Sequence, residues 1–248
     1  MTNYQVKQYS NIAKVGLDKL EGTECSLNEN SDSPDGILIR SSKLGKDVIK
    51  DGLKAISRAG AGVNNIPIDL CTDKGIVVFN TPGANANAVK ELVLAGLMLS
   101  SRNVYASIDF VNGLSHLEQM KDLEPFLEEN KKSFKGTELA GSTLGVVGLG
   151  AIGSKVASMG VALDMNVVGY DPSLSVEAAW KIPSEVVPAE SMKDLFSISD
   201  FISIHIPALD STKGIINEEL FKNASNLSLL NFARHEVVNT KHVRSEEH

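Results

Sequence analysis

The sequence predicts an α/β chain of two Rossmann-like domains, each built on a parallel sheet with helices on both faces. Two observations support this fold class. The chain has 248 residues, which is more than one domain of average size needs. Short apolar runs alternate with helix-length segments, a pattern typical of buried parallel strands. This alternation ends near residue 99 and begins again at Gly141, so the two domains are predicted at 1–85 and 86–248.

In the first domain, apolar runs predict strands at Ile37 to Ile39, Leu53 to Ile56 and Ile76 to Phe79. The segment from Pro67 to Lys74 has the length of a short helix between the last two strands. The third strand stops at a Pro-Gly turn, and a helix rich in Ala and Leu is predicted at 87–99. These elements give the alternation of strand and helix that a parallel sheet requires.

Residues 107–136 are mostly polar and charged, with scattered Leu and Phe side chains. Two interpretations are open for this segment. It is either an arm that contacts a second copy of the chain or a solvated surface helix with a loop. The first interpretation predicts a homodimer that forms through the second domain and this arm.

The second domain is predicted to contain four strands and a short helix near Met192 to Phe196. The strands are Thr143 to Val147, Asn166 to Tyr170, Phe201 to Ile206 and Ser228 to Phe232. An amphipathic helix is also predicted after the first of these strands, with apolar residues at 152, 156, 159 and 163. This pattern again indicates a parallel sheet.

A glycine-rich turn connects the first of these strands to the amphipathic helix. Gly148, Gly150 and Gly153 form the pattern GxGxxG, with Ala151 and Ile152 between the last two glycines. The first glycine allows a tight turn, the second lets the backbone approach a pyrophosphate, and the third lets the helix pack close to the strand. Because a helix N-terminus also favours an anion, the turn is predicted to bind a dinucleotide.

Asp171 follows the next strand, 18 residues after Gly153. An acid at this distance accepts hydrogen bonds from the ribose hydroxyls of the dinucleotide. A carboxylate there repels the 2′-phosphate of NADP, and no Arg occurs between residues 171 and 176. The predicted cofactor is therefore NAD.

Composition excludes several other classes of protein. The net charge is −7 and the chain has no basic block, which argues against nucleic-acid or membrane-surface binding. Cys25 and Cys71 lie in no CxxC or Cys/His cluster, so neither a disulfide framework nor a metal site is predicted. The N-terminus resembles no signal peptide, and no apolar run has the length of a membrane span. These features predict a cytoplasmic protein that binds a small molecule.

Six ordered segments resemble the D-isomer-specific 2-hydroxyacid dehydrogenases. They are RAGAGVNNI at 58–66, NTPGANANAVKEL at 80–92, LGVVGLGAIG at 144–153, GYDP at 169–172, HIPALDSTKGIIN at 205–217 and LLNFAR at 229–234. The resemblance implies a flavodoxin-like substrate domain, a hinge at 85–91 and an NAD-binding domain. It also implies hydride transfer between NAD and a small phosphorylated 2-hydroxy acid. Members that convert D-3-phosphoglycerate to 3-phosphohydroxypyruvate for serine biosynthesis are the most similar.

The resemblance further implies which residues bind the substrate. Arg40 and Arg58 match the arginines near the substrate phosphate, where a guanidinium binds two oxygens at once. A surface salt bridge is the alternative role for each of them. The substrate carboxylate is expected on the small-residue loop Ala59, Gly60, Ala61 and Gly62, whose backbone N–H groups are predicted to be free for an anion. Arg234 matches the catalytic arginine, which binds the carboxylate and polarises the keto oxygen.

Further residues are implied to line the cofactor, in addition to those of the glycine turn. They are Asn80 and Val89 near the nicotinamide, His205 and Pro207 on the adenosine side, and Ala233 beside the catalytic arginine. His205 is not assigned as the general acid, because the family's catalytic histidine lies in a later segment. His235 replaces the small residue that follows this arginine in relatives, so crowding of the nicotinamide or a strained backbone is expected there.

Hydride transfer also needs a proton, which the family supplies from a histidine paired with a glutamate. In relatives both residues follow the arginine strand, whereas this sequence continues for 14 residues beyond Arg234. His242, Glu246, Glu247 and His248 are not expected to take these roles, since no strand and helix are predicted to orient them. The Rossmann domain is therefore predicted to be incomplete at its C-terminus. The alternative to an active enzyme is a catalytically deficient, NAD-binding partner subunit.

Overall fold

A computed structural model of the chain describes residues 3–116, 120–222 and 224–244. The chain divides into two compact units, Met1–Asn85 and Ala86–His248. Each unit contains one five-stranded sheet whose paired strands run parallel. The predicted α/β fold class is therefore confirmed. Glu246, Glu247 and His248 lie outside the described residues.

The first unit contains five strands and two short helices. These are β1 (Tyr4–Tyr9), α1 (Lys14–Leu17), β2 (Cys25–Leu27), β3 (Gly36–Ile39), β4 (Ala55–Arg58), α2 (Ile68–Asp73) and β5 (Val77–Phe79). The strands lie in the order β2-β1-β3-β4-β5. This is the flavodoxin-like order, in which the direction of chain progression reverses between β1 and β3.

The core of the first unit is formed by the strands that the sequence predicts. Ile37, Ile39 and Ile56 are at most 1% exposed and share one apolar cluster. The predicted strands and helix differ from the observed ones by at most two residues at each end. β1 and β2 were not predicted, because Val6 is the one buried residue of β1 and β2 has none. Their sequences therefore lack the apolar run of a central strand.

The second unit begins with three helices, α3 (Ala86–Ser101), α4 (Val104–Asn112) and α5 (Met120–Asn130). α3 contains the predicted helix at 87–99. Segment 107–136 is largely helical in its described part, which is compatible with both interpretations of this segment, and residues 117–119 lie outside the description. Phe110 of α4 stacks on Phe126 of α5, with 5.9 Å between ring centroids. Within the described chain, no helix is long and apolar enough to cross a membrane.

The second sheet follows these helices. Its elements are β6 (Thr143–Val147), α6 (Gly153–Ala162), β7 (Asn166–Tyr170), α7 (Val176–Ala179), β8 (Val187–Pro188), α8 (Met192–Ile198), β9 (Phe201–Ile204), α9 (Glu218–Phe221) and β10 (Ser228–Asn231). The strand order is β10-β9-β6-β7-β8. Counted from the first strand of the unit, this is the order of strands 1 to 5 in a Rossmann sheet. The direction in which the chain adds strands to the sheet reverses between β6 and β9.

Apolar side chains cover both faces of this sheet. Successive residues of β6 point to opposite faces, so Val146 joins the cluster that contains Val93 and Leu97 of α3, whereas Val147 joins that of Phe196 of α8. All five of these side chains are at most 1% exposed. Burial of each contributes about 1.5–3 kcal/mol, which fixes the position of β6 and of the turn that follows it.

The chain after β10 forms a 3-10 helix at His235–Val237, a parallel bridge between Ile216 and Val238, and α10 (Thr240–Arg244). Val237 is fully buried, and its carbonyl accepts a hydrogen bond from the Ile216 N–H at 3.1 Å. The segment therefore contains a short helix that the sequence did not predict, whereas its pairing with the chain near Ile216 is a single bridge and not a strand. Its two adjacent valines pair with and pack on the chain near Ile216, and this holds the segment on the unit.

Candidate functional site

The carboxyl ends of β6 and β9 lie side by side at the point where the second sheet reverses. Gly148 follows β6, His205 follows β9, and the His205 N–H donates to the Val147 carbonyl at 2.7 Å. Open parallel sheets bind ligands in the crevice at such a reversal. Residues 148–153, Asp171 and residues 205–207 are called the nucleotide edge below.

Two glycines of this edge leave no room for a side chain. Gly148 has a φ of 88°, and a Cβ atom on it would lie 3.0 Å from the carbonyl oxygen of His205. Gly153 begins α6, and a Cβ atom there would lie 1.8 Å from the carbonyl oxygen of Gly148. The positive φ and the close approach of the chain after β9 therefore require glycine at 148, and the close packing of α6 on the turn requires glycine at 153.

Gly150 differs from these two glycines. A Cβ atom on Gly150 would meet no atom of the described protein within 4 Å, and the residue is exposed. The protein's own packing therefore does not require glycine at this position, and the open space is available to a ligand. Ala151 is exposed beside it, whereas Ile152 packs against the core and precedes the first turn of α6.

Asp171 lies directly after β7 and is fixed by two backbone groups. Its Oδ2 accepts a hydrogen bond from the Leu149 N–H at 2.9 Å, and its Oδ1 accepts one from the Ser173 N–H at 2.9 Å. Each carboxylate oxygen has a second lone pair that can accept another hydrogen bond. The acid is therefore attached to the glycine turn and can still accept from two hydroxyls.

His205 is held in a neutral state at the same edge. Its Nε2 lies 2.8 Å from the Oγ of Ser203, a buried residue of β9. Burial lowers the pKa of His205 to about 4. The ring holds no imidazolium proton near neutral pH, which agrees with its not being assigned as a general acid. Pro207 begins the exposed loop beyond it, and its carbonyl accepts from the Thr212 hydroxyl at 2.6 Å.

Arg234 lies in a turn after β10 that Asn231 holds together. The Asn231 side chain accepts from the Ala233 N–H at 3.1 Å and donates to the Arg234 carbonyl at 3.0 Å. The exposed Arg234 guanidinium donates to the Ala233 carbonyl at 2.9 Å through Nη1. The turn thus fixes the backbone of Arg234 at the carboxyl edge of the sheet.

The strained backbone expected at His235 is not observed. His235 begins a 3-10 helix and is not among the described non-glycine residues with a positive φ. A helical φ is open to any side chain, so the sequence difference from relatives has no backbone cost. The imidazole is 86% exposed, with Nδ1 3.1 Å from Oε2 of Glu236.

At the carboxyl edge of the first sheet, Arg40 follows β3 and Arg58 ends β4. The Arg58 Nε donates to the Arg40 carbonyl at 3.1 Å, and its Nη1 donates to the Gly62 carbonyl. A Cβ atom on Gly60 would lie 3.1 Å from this Nη1. Arg58 therefore braces the loop that follows it, a role that its residue type alone did not indicate.

The prediction of free N–H groups in this loop is wrong for two of its four residues. The Ala59 N–H donates to the Ile39 carbonyl at 2.8 Å, and the Gly60 N–H donates to the Arg58 carbonyl at 2.9 Å. The first bond extends the ladder between β3 and β4, and the second closes a tight turn. These two groups are therefore used within the protein.

The other predicted positions lie in separate units. Asn80 follows β5, and its Nδ2 donates to the Ala61 carbonyl at 2.6 Å, so it also holds the loop after β4. Val89 lies on α3 and packs against the core of the second unit.

No group of residues able to hold a metal ion occurs in the described part of the chain. Burial raises the pKa of the Cys71 thiol, which makes it unreactive.

Sequence reasoning missed Ser203 and Asn231, which hold His205 and Arg234. A signal for both is a polar residue near the carboxyl end of an apolar strand, and for Ser203 the reason is that a buried polar side chain needs a hydrogen-bond partner. Ser203 is a polar residue in the run FISI, and Asn231 ends the run SLLN. Both residues support a neighbouring side chain or turn.

Comparison with known proteins gives one family. Residues 106–245 match the NAD binding domain of the D-isomer specific 2-hydroxyacid dehydrogenases. D-3-phosphoglycerate dehydrogenase of Methanocaldococcus jannaschii is 35% identical over 232 residues, which are 92% of this chain and 40% of that protein. Hydroxypyruvate reductase of Thermotoga maritima is 37% identical over 205 residues, 81% of this chain and 60% of that protein. The chain thus spans less than two thirds of these relatives.

A solved structure agrees with this result. The crystal structure of NAD+-bound 3-phosphoglycerate dehydrogenase from Entamoeba histolytica matches with a TM-score of 0.72 and 26% identity. The match covers 98% of this chain and 76% of that one. The second unit therefore has both the sequence pattern and the strand order of an NAD-binding domain.

Proposed function

This chain belongs to the D-isomer-specific 2-hydroxyacid dehydrogenases, and we propose that it acts in the NAD-dependent oxidation of D-3-phosphoglycerate to 3-phosphohydroxypyruvate, a step of serine biosynthesis. The nucleotide edge carries the NAD-dependent part of this proposal. It combines the open position at Gly150 with the Asp171 carboxylate attached to the same turn. This arrangement fits a pyrophosphate on the turn and a ribose on the Asp171 carboxylate.

In this proposal, residues of the chain bind and orient the cofactor and the acid substrate. The N-terminus of α6 receives the pyrophosphate, and Asp171 accepts from the ribose hydroxyls. Bound NAD supplies the hydride acceptor. Arg234 binds the carboxylate of the acid and stabilises negative charge on the reacting oxygen, while Arg40 and Arg58 contribute the positive charge that a phosphorylated acid requires. No described residue is assigned as the acceptor of the substrate's hydroxyl proton.

The test is a pair of measurements on the full chain. Calorimetry should detect NAD binding, and NADH should form from D-3-phosphoglycerate faster than from D-glycerate. Equal rates with the two acids would refute recognition of the phosphate and favour the reaction named for the Thermotoga relative. NAD binding without any NADH formation would instead support the catalytically deficient partner subunit.

We also propose that two copies of the chain associate through α3 and α4. Large apolar side chains are exposed on these helices, at Leu92, Leu99, Tyr105, Ile108 and Val111, each at least half exposed. A shallow groove of about 340 Å³ lies beside the last two. Residues 92–111 contain one Arg and one Asp, so this patch has no net charge and adds no like-charge contact to the interface, although each copy has a net charge of −7. A symmetric dimer would bury this face against itself.

Light scattering during size-exclusion chromatography tests the dimer. The wild-type chain should elute as a dimer, and Ile108→Lys should elute as a monomer, because a buried unpaired charge opposes association. Val15→Lys is a matched control in the first unit, since Val15 is 73% exposed on α1. A monomeric wild-type chain, or a dimeric Ile108→Lys variant, would refute this interface.

A further inference from the structure

A strained serine lies at the carboxyl edge of the first sheet. Ser10 follows β1 with a φ of 72°, in the left-handed region that L side chains rarely adopt. The other described non-glycine residues with a positive φ are Asn103, Asp164 and Asn226, and Asn and Asp tolerate this region better than Ser does. Strain of this kind persists where the surrounding structure enforces it, and it is frequent at ligand sites.

The hydrogen bonds of Ser10 fix the direction of a neighbouring hydroxyl. Ser10 Oγ accepts from the N–H groups of Ser41 at 3.2 Å and Ser42 at 2.9 Å, and it donates to Ser42 Oγ at 2.8 Å. A hydroxyl has two lone pairs and one proton, so these bonds use the full capacity of Ser10. Ser42 Oγ already receives a proton, so its own proton points to another acceptor. Ser42 is exposed, and that acceptor is solvent or a ligand.

Segment 40–42 is also fixed from its other side. The Asn65 Nδ2 donates to the Ser42 carbonyl at 2.7 Å and to the Arg40 carbonyl at 3.3 Å, where Arg58 also donates. The segment is therefore held between the end of β1 and the loop after β4. This is the place where the order of the first sheet reverses, which is where open sheets bind ligands.

We propose that the Ser42 hydroxyl binds the phosphate of the substrate and that Ser10 is a positioning residue that orients it. This rests on the proposed function, whose substrate site it extends. An oriented hydroxyl donor, polarised by the bonds behind it and two residues after Arg40, suits a phosphate monoester. Free inorganic phosphate presents the same oxygen atoms, so the experiment includes both ligands.

The first arm of the test is a calorimetric titration of the full chain with D-3-phosphoglycerate, D-glycerate and inorganic phosphate. Ser42→Ala should weaken binding of D-3-phosphoglycerate about tenfold, the effect of one hydrogen bond to a charged group. It should leave the affinities for D-glycerate and NAD unchanged, and Ser42→Thr should restore binding. Ser33→Ala is the matched control, because Ser33 is exposed and precedes β3 at the opposite edge of the sheet.

The second arm separates positioning from a structural role. Ser10→Gly removes the hydroxyl and also the strain, since glycine tolerates a positive φ. The variant should melt no lower than the wild-type chain and yet bind D-3-phosphoglycerate more weakly. Loss of stability with unchanged affinity would refute the role of Ser10.

Each failure has its own signature. Unchanged affinity of Ser42→Ala, in a chain that prefers D-3-phosphoglycerate to D-glycerate, would overturn the role of Ser42 and leave the proposed function intact. Equal affinity of the wild-type chain for the two acids would overturn the proposed phosphate recognition itself. Inorganic phosphate that binds as tightly as D-3-phosphoglycerate, and is weakened equally by Ser42→Ala, would overturn the assignment to the substrate.

Discussion

Replacement of Gly153 by alanine tests the geometry of the nucleotide edge. The new Cβ atom would lie 1.8 Å from the Gly148 carbonyl oxygen and 3.3 Å from Cγ1 of Val146. Because the closest atom belongs to the backbone, α6 and the turn have to separate. Overpacking costs about 1–3 kcal/mol, and we expect a backbone clash this short to cost about 3 kcal/mol, the upper end of that range. At about 2–4 °C per kcal/mol for a unit of this size, the melting temperature should fall by about 6–12 °C.

Gly150→Ala is the matched variant on the same turn. Its Cβ atom meets no described atom within 4 Å, so the melting temperature of the free chain should be unchanged. NAD affinity should fall at least about tenfold, or 1.4 kcal/mol, because the methyl group occupies the space that the pyrophosphate approaches. Circular dichroism melts with and without NAD, together with calorimetry, measure both effects. Equal melting temperatures of the two variants, or unchanged NAD affinity of Gly150→Ala, would refute the reasoning.

Three other substitutions test the charge of Asp171, the burial of His205 and the backbone strain at Asp164. Asp171→Asn keeps the side-chain shape but removes the charge, so NAD affinity should fall about tenfold and the preference over NADP should narrow. Titrations with both cofactors measure this, and an unchanged preference would contradict it. Burial lowers the pKa of His205 to about 4 from 6.5, so below pH 6.5 the unfolded chain takes up a proton that the folded chain does not. The free energy of unfolding, measured with urea, should be highest above pH 6.5 and decline by up to about 3 kcal/mol as the pH falls to 4. The decline should be smaller in His205→Gln. Asp164 follows α6 with a φ of 56°, and Asp164→Gly should raise the unfolding free energy by about 1 kcal/mol; no gain would refute strain there.

The strands that the sequence predicts best are those buried on both faces. β6 and β7 have the predicted bounds, since TLGVV and NVVGY are nearly continuous apolar runs. β8 has two exposed residues, Val187 and Pro188, and lies at the edge of its sheet. A strand so short and so little buried leaves no periodic pattern, so its pairing is decided by the neighbouring strand rather than by its own residues.

The site divides in the same way between local and distant constraints. The glycine turn was predictable because glycine is required at 148 and 153 by atoms that lie within a few residues along the chain or beside it in the sheet. The bracing role of Arg58 was not, because it depends on the carbonyl of Arg40, 18 residues away. The bond between Ser10 and Ser42 spans 32 residues, and it required the position of β1, which the sequence did not reveal. Contacts across strands thus decide what a correctly identified residue does.

In the proposed function, the two units bind negative charge by different physical means. In the second unit, backbone N–H groups and the dipole of α6 attract the anion, and glycines clear the space, so recognition hardly depends on side-chain identity. In the first unit, the proposed donors are the side chains of Arg40 and Ser42. A substitution there changes the preferred acid while the cofactor edge stays intact. Arg40→Ala should accordingly weaken binding of D-3-phosphoglycerate and leave NAD affinity unchanged, whereas a parallel loss of both by calorimetry would contradict this division.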